Sequence, residues 1–344
     1  MLMEVPPRFG EAGAAHPARV SEDLGYDGVW VAEKARDPFL PLLLAAQATD
    51  RVEIGTAVAV AFARSPMILA QVANDLHAYS GGRFVLGIGS QIRPHVTRRY
   101  SMPWSDRPAA QMREYIAALR AIWACWNDGA PLDFEGEHYT HTLMTPFFSP
   151  EPNPHGAPKV MLAGVGPGMT RVAGEMADGF LGHGFTTERF FREVTLPALA
   201  AGLEQAGRAR ESFEVAAASF VVTGADEEEM AAAADRVRRQ IAFYGSTPAY
   251  RPVLDVHGWG DLQEDLRRLT KEGRWDDMPT LIDDEILGTF AVVAEPERIA
   301  AAWAQRWVGL VDRLSFYVPH RADPDRWGRV LAGLRALPAT ARTG

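Results

Sequence analysis

Four places in the chain combine residue types and spacing that could do chemistry. Leu162-Ala163-Gly164-Val165-Gly166-Pro167-Gly168-Met169-Thr170 leads from an apolar run into a helical pattern. Backbone N–H groups at such a helix start can face an anion, so Gly164, Val165, Gly166, Pro167, Gly168 and Met169 form a candidate phosphate cradle. The same glycines would also serve a plain tight connection. They do not make a dinucleotide fingerprint: Met169 stands at the third glycine position, and no ribose-binding carboxylate follows at the expected offset.

The second place is Gly87-Ile88-Gly89-Ser90-Gln91, where two glycines would let a flat ring approach the backbone. Ile92-Arg93-Pro94-His95 follows, adding a cation and an imidazole to the amide of Gln91. His95 could donate a proton near neutral pH, or be an ordinary surface-loop histidine. At the third place, Glu33 and Lys34 follow an apolar run, where their opposite charges would either polarise a ligand or be solvated. His183, between Gly182 and Gly184, is the fourth: it could reach a ligand phosphate or ring, or simply occupy a turn. His77 lies inside a helical pattern and is expected to be structural. No metal site is expected, since neither HExxH nor CxxC occurs and His138 and His141 lack an obvious third ligand. No Gly-x-Ser-x-Gly elbow points to hydrolysis.

These residues need a frame that brings separate loops together. Eight short apolar runs read as strands: Met1 to Val5, Gly28 to Ala32, Val52 to Val58, Phe84 to Ile88, Lys159 to Ala163, Gly179 to Gly182, Phe213 to Thr223 and Arg313 to Tyr317. Helical patterns lie between them, at Ala12 to Leu24, Pro38 to Thr49, Ser65 to Tyr79, Pro108 to Asn127, Thr187 to Ala206, Asp226 to Tyr244 and Pro296 to Trp307. Eight strands alternating with helices predict a single (β/α)8 TIM barrel over residues 1–344, with an open doubly wound sheet as the runner-up. Two stretches break the alternation. Residues 133–144 read as a hairpin-like insertion and residues 245–288 as a partly helical one, the kind of segment that covers a barrel site. Trp104, Met102, Phe147, Phe148 and Trp259 could line an apolar substrate pocket, or belong to the core.

Composition narrows the partners. A chain with 47% hydrophobic and 23% charged residues can bury a large core. A net charge of −9 argues against a nucleic-acid partner, and no apolar run is long enough to span a membrane. Cys125 is the only cysteine and no signal-peptide pattern opens the chain, so a cytoplasmic location is expected.

Taken in order, Gly28-Val29-Trp30-Val31-Ala32-Glu33, Ile54-Gly55-Thr56-Ala57-Val58, Leu76-His77-Ala78-Tyr79-Ser80-Gly81-Gly82-Arg83-Phe84 and Leu86-Gly87-Ile88-Gly89-Ser90 resemble the bacterial luciferase-like family over about residues 1 to 320. Ser90 to His95, Met102-Pro103-Trp104, Phe134-Glu135-Gly136 and Tyr244 to Arg251 resemble its subgroup of oxidoreductases using the deazaflavin coenzyme F420. The resemblance implies a cofactor ring against a bulged third strand with a non-proline cis peptide at Ala57 and Val58. It implies cofactor phosphate on Gly164 to Met169, with Glu33, Gly89, Ser90, Gln91 and His183 near the ring or its side chain. It also implies a homodimer. One departure stands out: related sugar-phosphate dehydrogenases carry a glutamate as proton donor where this chain has Ile92.

The expected function is therefore hydride transfer between F420 and a small organic substrate, with His95 as the leading catalytic candidate and Glu33 and Gln91 as positioning or proton-handling groups. An FMN-dependent monooxygenase of the luciferase type and a non-catalytic flavin-binding protein are the alternatives.

Overall fold

A computed structural model describes residues 2–5, 15–317 and 323–337. Its strands are β1 (Leu2–Val5), β2 (Gly28–Val31), β3 (Glu53–Thr56), β4 (Ala59–Val60), β5 (Phe84–Gly89), β6 (Phe134–Glu135), β7 (Thr140–His141), β8 (Lys159–Gly164), β9 (Gly179–Gly182), β10 (Glu214–Val222), β11 (Ala291–Val293) and β12 (Arg313–Tyr317). Eight of them close into a ring in the order β1-β2-β3-β5-β8-β9-β10-β12, every pairing parallel. The pairing of Gly179 with Glu214 closes the circle and rules out an open doubly wound sheet.

All eight predicted strands are present with small shifts at their ends. Met1 and the first residues of the predicted helix, Ala12 to Ala14, lie outside the described residues. Several elements escaped the sequence reading, three of them on or beside the barrel. β4 continues β3 after a break and pairs with β5, β11 pairs with the outer end of β10, and a helix covers Pro324–Ala336. The two strand pieces have only two and three residues, too short for a periodic signal.

Local chemistry explains where the helices begin. Ser65 accepts the Ile68 N–H ahead of Pro66, and Asp226 accepts the Glu229 N–H, each satisfying a donor that the helix leaves free. His77, within Pro66–Tyr79, has Nδ1 3.0 Å from the Phe84 carbonyl and so ties its helix to β5, the structural role expected of it.

The bore is filled in layers, as an eight-stranded barrel requires. At the strand starts, buried Arg313 pairs with Glu53 and Glu214, and Lys159 also meets Glu214. Above them Trp30, Val85, Met161, Leu181 and Ala216 pack together. Gly55 is required here, since a Cβ at that position would lie 2.4 Å from the Trp30 ring. The bore is thus plugged from below, leaving the C-terminal strand ends as the open face.

The two irregular stretches take definite form. β6 and β7 make an antiparallel hairpin, clamped by the Glu114 carboxylate, which accepts the N–H groups of Glu137, His138 and Tyr139. Gly136 has no room for a side chain, because a Cβ would lie 2.1 Å from Glu114 Oε1. Beyond Glu227–Gly245, the helices Arg251–Asp255, Gly260–Lys271 and Asp284–Phe290 share a second core in which Val253, Leu266 and Phe290 meet Phe185 and Phe220 from beside the mouth.

Candidate active site

The floor of the mouth is built by β3, β4, β5 and β8. The bond between Ala57 and Val58 is cis, at the break between β3 and β4. Ala57 is exposed and Val58 half-buried, so both face accessible space. Gly89 lies beside them: a Cβ there would be 3.0 Å from Val58 Cγ2 and 3.7 Å from the Ala163 methyl. Val58, Gly89 and Ala163 therefore form one apolar surface. The other glycine of the pair differs from expectation. A Cβ on Gly87 would lie 1.8 Å from the Thr56 carbonyl oxygen, so its bareness admits strand β3 rather than a ligand.

Glu33 is committed to shaping this floor. Its N–H donates to the Val58 carbonyl at 3.1 Å, and its carboxylate accepts the Val60 N–H at 2.8 Å. The same carboxylate pairs with Arg64 at 2.7 Å and accepts the Tyr100 hydroxyl at 3.1 Å. With its side chain only 6% exposed and its oxygens occupied, Glu33 grips the β3–β4 break. Lys34, its neighbour in sequence, is not its ion-pair partner.

Past β5 the chain turns through Ser90 and Gln91. The Ser90 hydroxyl donates to the Gln91 carbonyl at 3.1 Å, Gln91 has φ +61°, and its Oε1 accepts the Ile92 N–H at 3.0 Å. Both side chains thus stabilise the local turn. His95 then opens the π-helical turn His95–Arg99, which folds back over the segment after β2: Arg99 donates to the Lys34 carbonyl and Tyr100 reaches Glu33. The structure joins Tyr100, not His95, to Glu33. His95 is exposed, and its ring has no hydrogen bond among the described residues.

The glycine-rich turn leads from β8 into the helix Pro167–Met176. Gly166 caps that helix with extended backbone and no side-chain bond. The Thr170 N–H returns to the Gly166 carbonyl, whereas the N–H groups of Gly168 and Met169 find no acceptor among the described residues. Helix starts leave such donors free. Gly164 is tight, with Met169 carbons 3.2 Å from a built Cβ, but at Gly166 and Gly168 nothing lies within 4 Å. Val165 packs against the second core, and Pro167 is exposed at the first helical position. Packing explains Gly164; the open space at Gly166 and Gly168 is what an anion would need.

His183 follows β9 and faces an aromatic wall. Its Nδ1 accepts the Phe185 N–H at 3.0 Å, so Nε2 carries the proton of the neutral ring, 3.4 Å from the Tyr250 hydroxyl. Ring contacts at 4.7 Å to Tyr244 and 4.8 Å to Tyr250 complete its surroundings. Burial, reinforced by the charge of Lys34, pushes its pKa down to about 4, keeping it neutral at physiological pH. Burial raises the Tyr244 and Tyr317 phenols and pushes Tyr250 up to about 12.

The aromatic pocket proposed from sequence does not assemble. Trp104 packs edge-on against Phe62 in the core, Trp259 stacks on His257, and Phe147 and Phe148 pair with each other while remaining exposed. The residues missed were Tyr100, Arg64 and Tyr317, along with any role for Tyr244 and Tyr250. Tyr317 ends a predicted strand, and a polar aromatic at a barrel strand end is the signal that would have found it.

Comparison with known proteins agrees with this architecture. Residues 11–313 match the family described as luciferase-like monooxygenase. An uncharacterised protein of Mycobacterium tuberculosis is 57% identical over 303 residues, covering 88% of this chain and 89% of that protein. A 5,10-methylenetetrahydromethanopterin reductase of Archaeoglobus fulgidus is 27% identical over 291 residues, 82% of each chain. The solved coenzyme F420-dependent tetrahydromethanopterin reductase of Methanopyrus kandleri superposes with a TM-score of 0.77 at 21% identity, covering 96% of both chains, and shares the fold.

Proposed function

The chain belongs to the luciferase-like monooxygenase family, and from that premise we propose that it is an F420-dependent oxidoreductase acting on a small organic substrate. The observation that carries the proposal is the pairing of an apolar floor at Val58, Gly89 and Ala163 with unpartnered N–H groups at Gly168 and Met169, across the ends of adjacent strands. A flat tricyclic ring fits the first, and a phosphate diester on a ribityl-type side chain fits the second. Relatives named as methanopterin reductases, one of them F420-dependent, support the deazaflavin over FMN.

A bound deazaflavin supplies two-electron hydride transfer, having carbon where a flavin has the nitrogen that takes part in oxygen activation. The protein would supply position and electrostatics. Val58 and Gly89 would set the plane of the ring, with Ala57 at its edge. Gly164 to Met169 would hold the phosphate, and Glu33 would keep the floor in shape. His183, neutral, would present its ring face beside Tyr244 and Tyr250, its Nε2–H being directed at the Tyr250 hydroxyl. His95 is exposed and uncommitted, and is the proton donor proposed for turnover, while Ser90 and Gln91 hold the turn that presents it.

We also propose a homodimer. Leu40, Leu43 and Leu44 on Phe39–Ala48 and Ile68 on Pro66–Tyr79 are exposed on adjacent helices, an apolar patch that a second copy could cover.

Titration with F420 and with FMN, followed by cofactor fluorescence, tests the central proposal. Saturable F420 binding well below the FMN dissociation constant is expected. Tight FMN binding without F420 binding would overturn it and favour the oxygen-using alternative.

A further inference from the structure

The wall facing the apolar floor holds charged and hydroxyl groups to which the proposed cofactor gives no task. The chain has three lysines, Lys34, Lys159 and Lys271, within a Lys+Arg total of 35. Lys159 is tied to Glu214 at 2.6 Å below the barrel, and Lys271 is exposed at the end of Gly260–Lys271. Lys34, also exposed, is the one at the C-terminal strand ends, one residue beyond Glu33. Its Nζ lies 5.9 Å from the centroid of the Tyr317 ring, and no carboxylate pairs with it among the described residues. The nearby acids are taken: Glu33 by Arg64, Val60 and Tyr100, and Asp37 by Arg64 at 3.1 Å. An ammonium is a compact charge with three donors, and among the described residues none of the three meets a carboxylate.

The neighbours of Lys34 are donors as well. The Tyr244 and Tyr317 hydroxyls lie 2.7 Å apart. Two phenols have two protons but share one bond, so one O–H remains to be donated elsewhere. Tyr250 accepts the proton of His183 Nε2, which frees its own hydroxyl proton. The rings form a continuous surface, with centroids 6.0 Å apart for Tyr244 and Tyr250 and 6.4 Å for Tyr244 and Tyr317. Arg36, Arg93, Arg98 and Arg99 are exposed on the two segments that Arg99 and Tyr100 lock together beside Lys34. In a chain of net charge −9, this local excess of cations creates a field that draws anions toward the mouth.

Resting on the reading of the mouth as the reaction site, whichever cofactor occupies it, we propose that Lys34 and the hydroxyls of Tyr317 and Tyr250 form a subsite for a substrate carboxylate. The substrate is then a small organic acid whose planar apolar part lies along the rings of Tyr244, Tyr250 and His183. One ammonium flanked by phenols balances the charge of a monoanion, whereas a phosphate dianion would leave one negative charge unmatched within the wall.

With only three lysines, the test is spectroscopically simple. In the full chain labelled with 13C-lysine, the Lys34 Cε–Hε signal is assigned by its loss in Lys34→Gln. Sodium trans-cinnamate and neutral trans-cinnamamide are then titrated in parallel. Cinnamate should shift the Lys34 signal saturably and leave Lys159 and Lys271 in place, while cinnamamide should not shift it. Tyr317→Phe should weaken cinnamate by about tenfold, the scale of one hydrogen bond to a charged group. The subsite is overturned if cinnamate leaves Lys34 unmoved, shifts all three lysines alike without saturation, or is matched by the amide. An F420 titration of the same samples separates the two readings: F420 binding without a cinnamate response refutes the subsite alone, and a cinnamate response without F420 binding refutes only the cofactor.

Discussion

Replacing Glu33 by alanine should act first on stability. The carboxylate is nearly inaccessible and has three partners: the Val60 N–H at 2.8 Å, Arg64 at 2.7 Å and the Tyr100 hydroxyl at 3.1 Å. Removing it leaves the guanidinium of Arg64, 17% exposed, with Asp37, which is itself 41% exposed, and the Val60 carbonyl at 3.3 Å. Breaking a buried pair from one side costs about 3–5 kcal/mol, because the remaining charge stays desolvated. The surviving contact with Asp37 places Glu33→Ala near the lower end, about 3 kcal/mol. Glu33→Gln keeps an oxygen for the Val60 N–H and Arg64, which share Oε2, but loses the charge and points an N–H₂ toward the Tyr100 hydroxyl, so about 2 kcal/mol is expected. Urea unfolding followed by tryptophan fluorescence measures both values. The double variant Glu33→Ala, Arg64→Ala should recover part of the loss, since no unpaired guanidinium remains. Cofactor affinity should fall in parallel as the floor beneath Val58 loosens. If Glu33→Ala unfolds at the wild-type urea concentration yet loses turnover, Glu33 takes part directly in chemistry and the positioning role is wrong.

Other outcomes follow from the same geometry. Gly166→Ala with Gly168→Ala meets no atom within 4 Å, so melting temperature should hold or rise, while F420 affinity falls by about tenfold or more if these positions face the phosphate; unchanged affinity in a fluorescence titration would remove the cradle. His183 has its folded pKa lowered to about 4, so the unfolded chain takes up the proton first as pH falls. Its contribution is therefore complete above about pH 6.5 and lost between there and about 4, with a size of about 1–3 kcal/mol. His183→Asn, which keeps an acceptor for the Phe185 N–H, should flatten that part of the stability profile; an identical profile would show that another group titrates there. His95→Ala should lower kcat without changing stability, because the ring is exposed and unbonded, and full turnover in the variant would free His95 of its role. Sedimentation should give a dimer that Leu40→Glu with Leu44→Glu dissociates, and a monomeric wild type would dismiss the pairing.

Much of the frame was legible because it is written locally. Strand runs, proline at helix starts and the caps at Ser65 and Asp226 act within a few residues, and the sequence displays them directly. The proposed cradle could be picked out for the same reason, since Gly164 to Met169 are contiguous. Two residues that looked equivalent in sequence parted in the structure: Gly87 gives way to a neighbouring strand, whereas Gly89 borders the mouth.

Partner choice was not local. Glu33 and Lys34 adjoin in the chain, yet Glu33 pairs with Arg64 and Lys34 reaches Tyr317. The parallel pairing of β1 with β12 on one side and with β2 on the other brings the last barrel strand near the loop after the second. The helix Glu227–Gly245 and the insertion after it likewise bring Tyr244 and Tyr250 to His183 through a core shared with Phe185 and Phe220. From sequence alone came the barrel, the glycine cradle and the histidines as candidates, because periodicity and backbone freedom are short-range properties. The tertiary structure decided which carboxylate is spent on shape, which histidine is kept neutral and which lysine lies beside the strand-end tyrosine, because charge pairing and desolvation depend on what the closed barrel packs together.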